Sequence, residues 1–134
     1  MNKNWLKSIG AVLAGALTGI VLSVVTDVVL HAIDVFPSWG QPIGDGPLVL
    51  ATAYRAIYGI AGTYVTARLA PRKPMQHAMV LGAIGLVAVM VGAAVTWNKG
   101  PEFGAHWYPV ALIVLALPQS WAGAKLRIMQ LHAR

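Results

Sequence analysis

Residues 75–97 read MQHAMVLGAIGLVAVMVGAAVTW, a stretch without one charged side chain. An α-helix rises about 1.5 Å per residue, so a helix of this length covers the roughly 30 Å hydrocarbon layer of a bilayer. Working outward, three more stretches read the same way. Residues 47–69 are interrupted by Arg55, and residues 8–35 by Asp27, His31 and Asp34. Residues 107–123 carry no charge and lead into an amphipathic tail with Leu126, Ile128, Met129 and Leu131. The expectation is an all-α, integral membrane four-helix bundle with short loops, one domain over residues 1–134.

Composition points the same way. Apolar residues make up 57% of the chain and charged residues 10%, against roughly 45–50% and 25% in ordinary soluble domains. A soluble fold of this size buries only about two-thirds of its surface, too little to hide so much apolar area. Hydrocarbon is the solvent that accommodates it. The net charge of +6 is spread between apolar runs rather than gathered on one face, which argues against a nucleic-acid partner. With no cysteine present, disulfides and thiolate chemistry are excluded.

The start, Met1 to Lys7 followed by an apolar run, resembles a secretory signal. That run continues well past the small residues Ala14, Gly15 and Ala16, where cleavage would fall, so an uncleaved first span is expected. Lys3 and Lys7 precede span one, Arg68, Arg72 and Lys73 separate spans two and three, and Lys125, Arg127 and Arg134 follow span four. The other two loops hold only Lys99. The positive-inside rule then puts both termini in the cytoplasm. Trp39, Trp97, Trp107 and Tyr108 make an outer aromatic belt, and Trp5 and Trp121 lie toward the inner one.

Pro47, Pro74 and Pro109 open helices, where a missing N–H costs nothing. Pro118 falls inside span four, deprives the Val114 carbonyl of its donor and predicts a kink. Small residues mark where helix backbones approach in lipid. The expected packing positions are Ala11, Gly15, Gly19 and Ser23 on span one, Gly59 and Gly62 on span two, and Gly82, Gly85 and Gly92 on span three. A weaker pattern relates Thr66-Ala67-Arg68-Leu69 to Gly123-Ala124-Lys125-Leu126, as in a repeated helical hairpin.

Charges inside the spans are the informative residues, because each costs about 2.5–3.5 kcal/mol on insertion scales and therefore needs a partner. Asp27, His31 and Asp34 share a helical face by their spacing. Arg55 lies at matching depth on span two, so an Asp27–Arg55 ion pair is expected, with His31 above it and Tyr54 and Tyr58 flanking the arginine. Asp45, Glu102 and His106 would extend the cluster from the loops. Three readings stay open: a structural pair fixing helix register, a proton, ion or ligand site opening outward, or a metal site of nitrogen and oxygen ligands. No HExxH spacing, nucleophile elbow, P-loop or dinucleotide fingerprint occurs, so no catalytic residue, metal or cofactor is assigned.

The segments Tyr54-Arg55-Ala56-Ile57-Tyr58-Gly59, Thr66-Ala67-Arg68-Leu69-Ala70-Pro71 and Pro74-Met75-Gln76-His77-Ala78 resemble an uncharacterised bacterial family of small four-span inner-membrane proteins with no established activity. That resemblance implies a bacterial inner-membrane location and transfers no functional residue. The functional expectation is a non-catalytic accessory or assembly subunit of a membrane complex. Its alternative is a small homo-oligomeric transporter or channel using Asp27, His31 and Arg55.

Overall fold

A computed structural model describes residues 4–38, 41–42, 44–99 and 105–133; Lys3, Trp39, Glu102 and Arg134 lie outside the described residues. Among these there are four helices: α1 (Asn4–Ala32), α2 (Asp45–Leu69), α3 (Pro74–Thr96) and α4 (Trp107–Ala133). All four are long and apolar enough to cross a membrane. Side-chain pairs fix their directions. Ser8 meets His77 and Tyr64 meets Gln130 at one end, and Asp45 meets Trp107 at the other. Consecutive helices therefore alternate in direction, and α2 and α4 run parallel. Lys7, Arg68, Arg72, Lys73, Lys125 and Arg127 gather at the end that also holds the start of α1 and the finish of α4. This is called the basic end below.

Helix α2 is the spine. It packs along α1 and α4, α3 packs along α4, and α1 meets α3 around Ser8–His77 and Gly15–Leu81. In lipid no hydrophobic force draws helices together, so close packing and interhelical hydrogen bonds must hold them. The seams meet both needs. Thr66 is fully buried and donates to the Ala11 carbonyl of α1 at 2.8 Å. Thr63 donates to the Gln119 carbonyl of α4 at 3.2 Å, and Gly123 lies against the α2 backbone. Ala67, Ala78 and Ala124 close the basic end.

Most of the expected packing positions lie at these seams. Ala11, Gly15 and Gly62 are buried between α1 and α2, Gly19 faces the Tyr58 carbonyl, and Ser23 is half-buried. Gly59 faces Gln119, and Gly82 faces Ser120. Gly85 and Gly92 are corrections: a side chain built on either would meet nothing within 4 Å. Helix α3 uses Ala78, Gly82 and Ala93 instead, because one helix face cannot follow both glycine spacings. On α4 the buried set is Ala116, Ser120, Gly123 and Ala124, the same periodicity that was read on span one and overlooked here.

Large apolar side chains point away from the bundle, among them Leu17 at 60% exposure on α1 and Val87 at 60% on α3. This inverts the arrangement of a soluble protein. Helix α4 continues through Pro118 and, as expected for the amphipathic tail, ten residues past 123. One helix end departs from the expected spans. Helix α1 stops at Ala32 rather than 35, because Asp34 adopts a left-handed conformation with φ 63°. The Val35 N–H returns to the Leu30 carbonyl at 3.0 Å and the Asp34 N–H to the His31 carbonyl at 3.3 Å. That is a Schellman ending, with aspartate in the place glycine usually takes.

Candidate functional site

The polar cluster forms where the last turns of α1 pass the middle of α2, away from the basic end. Asp27 lies five residues before the end of α1, about 8 Å along the helix. Its two carboxylate oxygens have separate donors. Oδ1 accepts the hydroxyl hydrogen of Tyr54, and Oδ2 accepts from Nη2 of Arg55. Arg55 and Asp27 form the ion pair, with side chains 33% and 19% exposed. The guanidinium carbon also stands 5.7 Å from the centre of the Tyr54 ring, within cation–π range. One donor is left over: Nε of Arg55 is buried without an acceptor among the described residues.

An aromatic shell encloses the pair. Phe36, Ala51 and Tyr54 form a buried cluster against which Leu30, Tyr58 and Tyr108 pack. Phe36 reaches it because of the Schellman turn, whose reversal swings the chain back over the helix end. Its ring then lies edge-on to His31 at 5.2 Å and stacks on Tyr54 at 6.4 Å. Tyr108 of α4 packs against this cluster, adding an aromatic ring from a third helix. Tyr58 bonds the Thr26 hydroxyl at 2.8 Å, a second tie between α1 and α2 one residue from Asp27.

The expected cluster members thus have different places. Asp27, Tyr54 and Arg55 are in direct contact, and Tyr58 acts through Thr26. His31 turns its Nδ1 to the backbone carbonyl of Asp27 at 2.7 Å, not to the carboxylate. Asp34 is a correction. Lying beyond the helix, it leaves the face shared by Asp27 and His31, and its work is to end α1. Asp45 and His106 do not extend the cluster either. Asp45 accepts from the Trp107 indole at 2.9 Å, while His106 stacks on Trp97 and bonds its carbonyl at 2.7 Å. Among the described residues no three histidine, aspartate or glutamate side chains converge on a metal-sized space.

Sequence reasoning missed Thr26, Phe36 and Tyr108. Thr26 adjoins Asp27 and shares its depth, so the signal for it was present. Phe36 depends on a chain reversal that only the conformation of Asp34 creates. Tyr108 was assigned to the aromatic belt, since nothing in its spacing shows that α4 passes α2 at the level of Arg55.

Chemically the arrangement is a clasp. An arginine guanidinium does not give up its proton in proteins, so Arg55 is a permanent cation. Each oxygen of Asp27 already has a donor from the chain itself. The pair joins α1 and α2 without a net charge, the form in which buried ions are tolerated, and Tyr108 of α4 packs on its aromatic shell. Comparison with protein-family models, characterised proteins and solved structures finds no match for the chain.

Proposed function

We propose that the chain is a small multi-pass protein of the bacterial inner membrane, with both termini cytoplasmic, serving as a non-catalytic accessory or assembly subunit of a larger membrane complex. The observation that carries this reading is the closure of the polar clasp. Tyr54 and Arg55 engage both oxygens of Asp27, so the costly charges are spent on holding α1 and α2 in register. The orientation rests on the basic end, since lysine and arginine are retained on the cytoplasmic side. The open face of α3 at Gly92 adds a surface where another helix backbone can approach closely.

The test is native mass spectrometry of the chain, tagged, expressed from its own promoter and gently extracted. A defined assembly with a second membrane protein at fixed stoichiometry is the expected result. Recovery of the chain only by itself, as monomer or homo-oligomer, rejects the accessory role.

One observation favours the second reading, a homo-oligomeric transporter or channel using Asp27, His31 and Arg55. The buried Nε of Arg55 is a spare donor of the kind a passing anion or water would use. In proteoliposomes this reading requires a proton- or ion-dependent flux that Asp27→Asn abolishes while the protein still folds. An Asp27→Asn protein that fails to accumulate in the membrane supports the structural clasp instead.

A further inference from the structure

A groove of about 470 Å³ opens at the basic end, between the start of α1 and the α2–α3 connection. Its walls include Trp5, Ser8, Arg72, Lys73 and His77. His77 forms a fixed side of it, with Nε2 on the Ser8 hydroxyl at 2.7 Å and Nδ1 on the Lys73 carbonyl at 3.0 Å. Lys73 is held in a left-handed conformation with φ 53°, immediately before Pro74 opens α3. The connection is thereby tightly folded, and the exposed Arg72 and Lys73 are adjacent at the groove. Neither is paired with a carboxylate among the described residues. Asp27, Asp34 and Asp45 all lie toward the opposite end of the bundle.

We propose that this groove binds the headgroup of an anionic diacyl phospholipid. The chemistry read from its walls is that of a phosphodiester anion, and a lipid is its source. Basic pockets between membrane helices on the cytoplasmic side take acidic headgroups, because two cations at a low-dielectric boundary attract an anion more strongly than in water. Trp5, 53% exposed, stands beside the cations as an indole does at headgroup level.

Surfaces next to the groove suit the acyl chains. Leu6 and Ile9 on α1 and Val80 and Ile84 on α3 are exposed apolar side chains. On the α3 face that carries His77 and then Leu81, the next turn brings Gly85, which faces open space. An acyl chain descending from the groove has a furrow there. A soluble polyanion would have no use for this apolar lining.

The proposal rests on the membrane reading above, and its test separates the two. The full chain in neutral detergent is titrated with phosphatidylglycerol, with phosphatidylcholine of identical acyl chains, and with inorganic phosphate, and bound lipid is counted by native mass spectrometry. Phosphatidylglycerol is expected to bind at least tenfold more tightly than phosphatidylcholine, and millimolar phosphate is expected not to displace it. The paired substitution Arg72→Gln, Lys73→Gln should remove that preference. Lys125→Gln, Arg127→Gln, which deletes the same charge from the same end, should preserve it.

Equal loss in both paired variants would mean diffuse attraction and overturn the site. Displacement by phosphate would replace the lipid with a simple anion and overturn it as well. A second readout needs no change to the cations: phosphatidylglycerol brominated near the headgroup should quench Trp5 more than brominated phosphatidylcholine, with Trp5→Phe isolating the signal. Equal quenching counts against the proposal. A chain that stays dispersed without detergent defeats the membrane reading itself, whereas lipid-indifferent binding in detergent defeats only this site.

Discussion

Arg55→Leu is expected to destabilise the bundle by about 3 kcal/mol, toward the lower end of what is lost when one partner of a buried ion pair is removed. The leucine itself suits the surroundings. The damage comes from Asp27, whose carboxylate keeps the Tyr54 hydroxyl but loses its counter-charge. The double substitution Asp27→Asn, Arg55→Leu should therefore recover most of the loss, since neutral polar groups are far cheaper in this environment than an unpaired charge. Unfolding in mixed micelles, followed by circular dichroism as a denaturing detergent is added, measures all three proteins. A single variant as stable as wild type would show that the clasp holds nothing.

The second large effect belongs to Gly15. A Cβ at this position would coincide with the Thr66 hydroxyl and press on the Gly62 carbonyl. Backbone cannot yield as a flexible side chain does, so Gly15→Leu must push α1 away from α2. That separation breaks the Thr66–Ala11 hydrogen bond and strains the Asp27 clasp further along the same seam. A loss of at least about 3 kcal/mol is expected, at the top of the range for overpacking. Gly85→Leu is the internal comparison. It adds the same volume to a face with nothing nearby, so its stability should stay within about 0.5 kcal/mol of wild type. Equal damage at both positions would contradict the placement of the seams.

Those two glycines also show where sequence reasoning succeeds and where it stops. The spans were legible because hydrocarbon thickness sets a length and water sets a composition, and both are local properties of the chain. The Asp27–Arg55 pairing was legible because each charge needs a partner and each is the other's match in depth. Helix faces were less legible. Gly15 and Gly85 carry the same propensity and the same small side chain, and only the direction of a neighbouring helix distinguishes a seam from an open face. Asp34 escaped for a different reason. Charge and spacing placed it with Asp27, whereas its tolerance of a left-handed backbone made it the end of the helix. That conformation in turn brings Phe36 over the clasp, which is why the aromatic shell could not be read in advance.

The clasp has a consequence for biogenesis. Its two charges are 28 residues apart, within the first pair of consecutive helices. A ribosome adding roughly 5–20 residues per second makes Arg55 a few seconds after Asp27, well before α3 and α4 emerge. On the membrane reading proposed above, the leading hairpin brings its own counter-ion to the insertion machinery. Its Asp27–Arg55 pair then enters lipid already neutralised, with no wait for the second half of the chain.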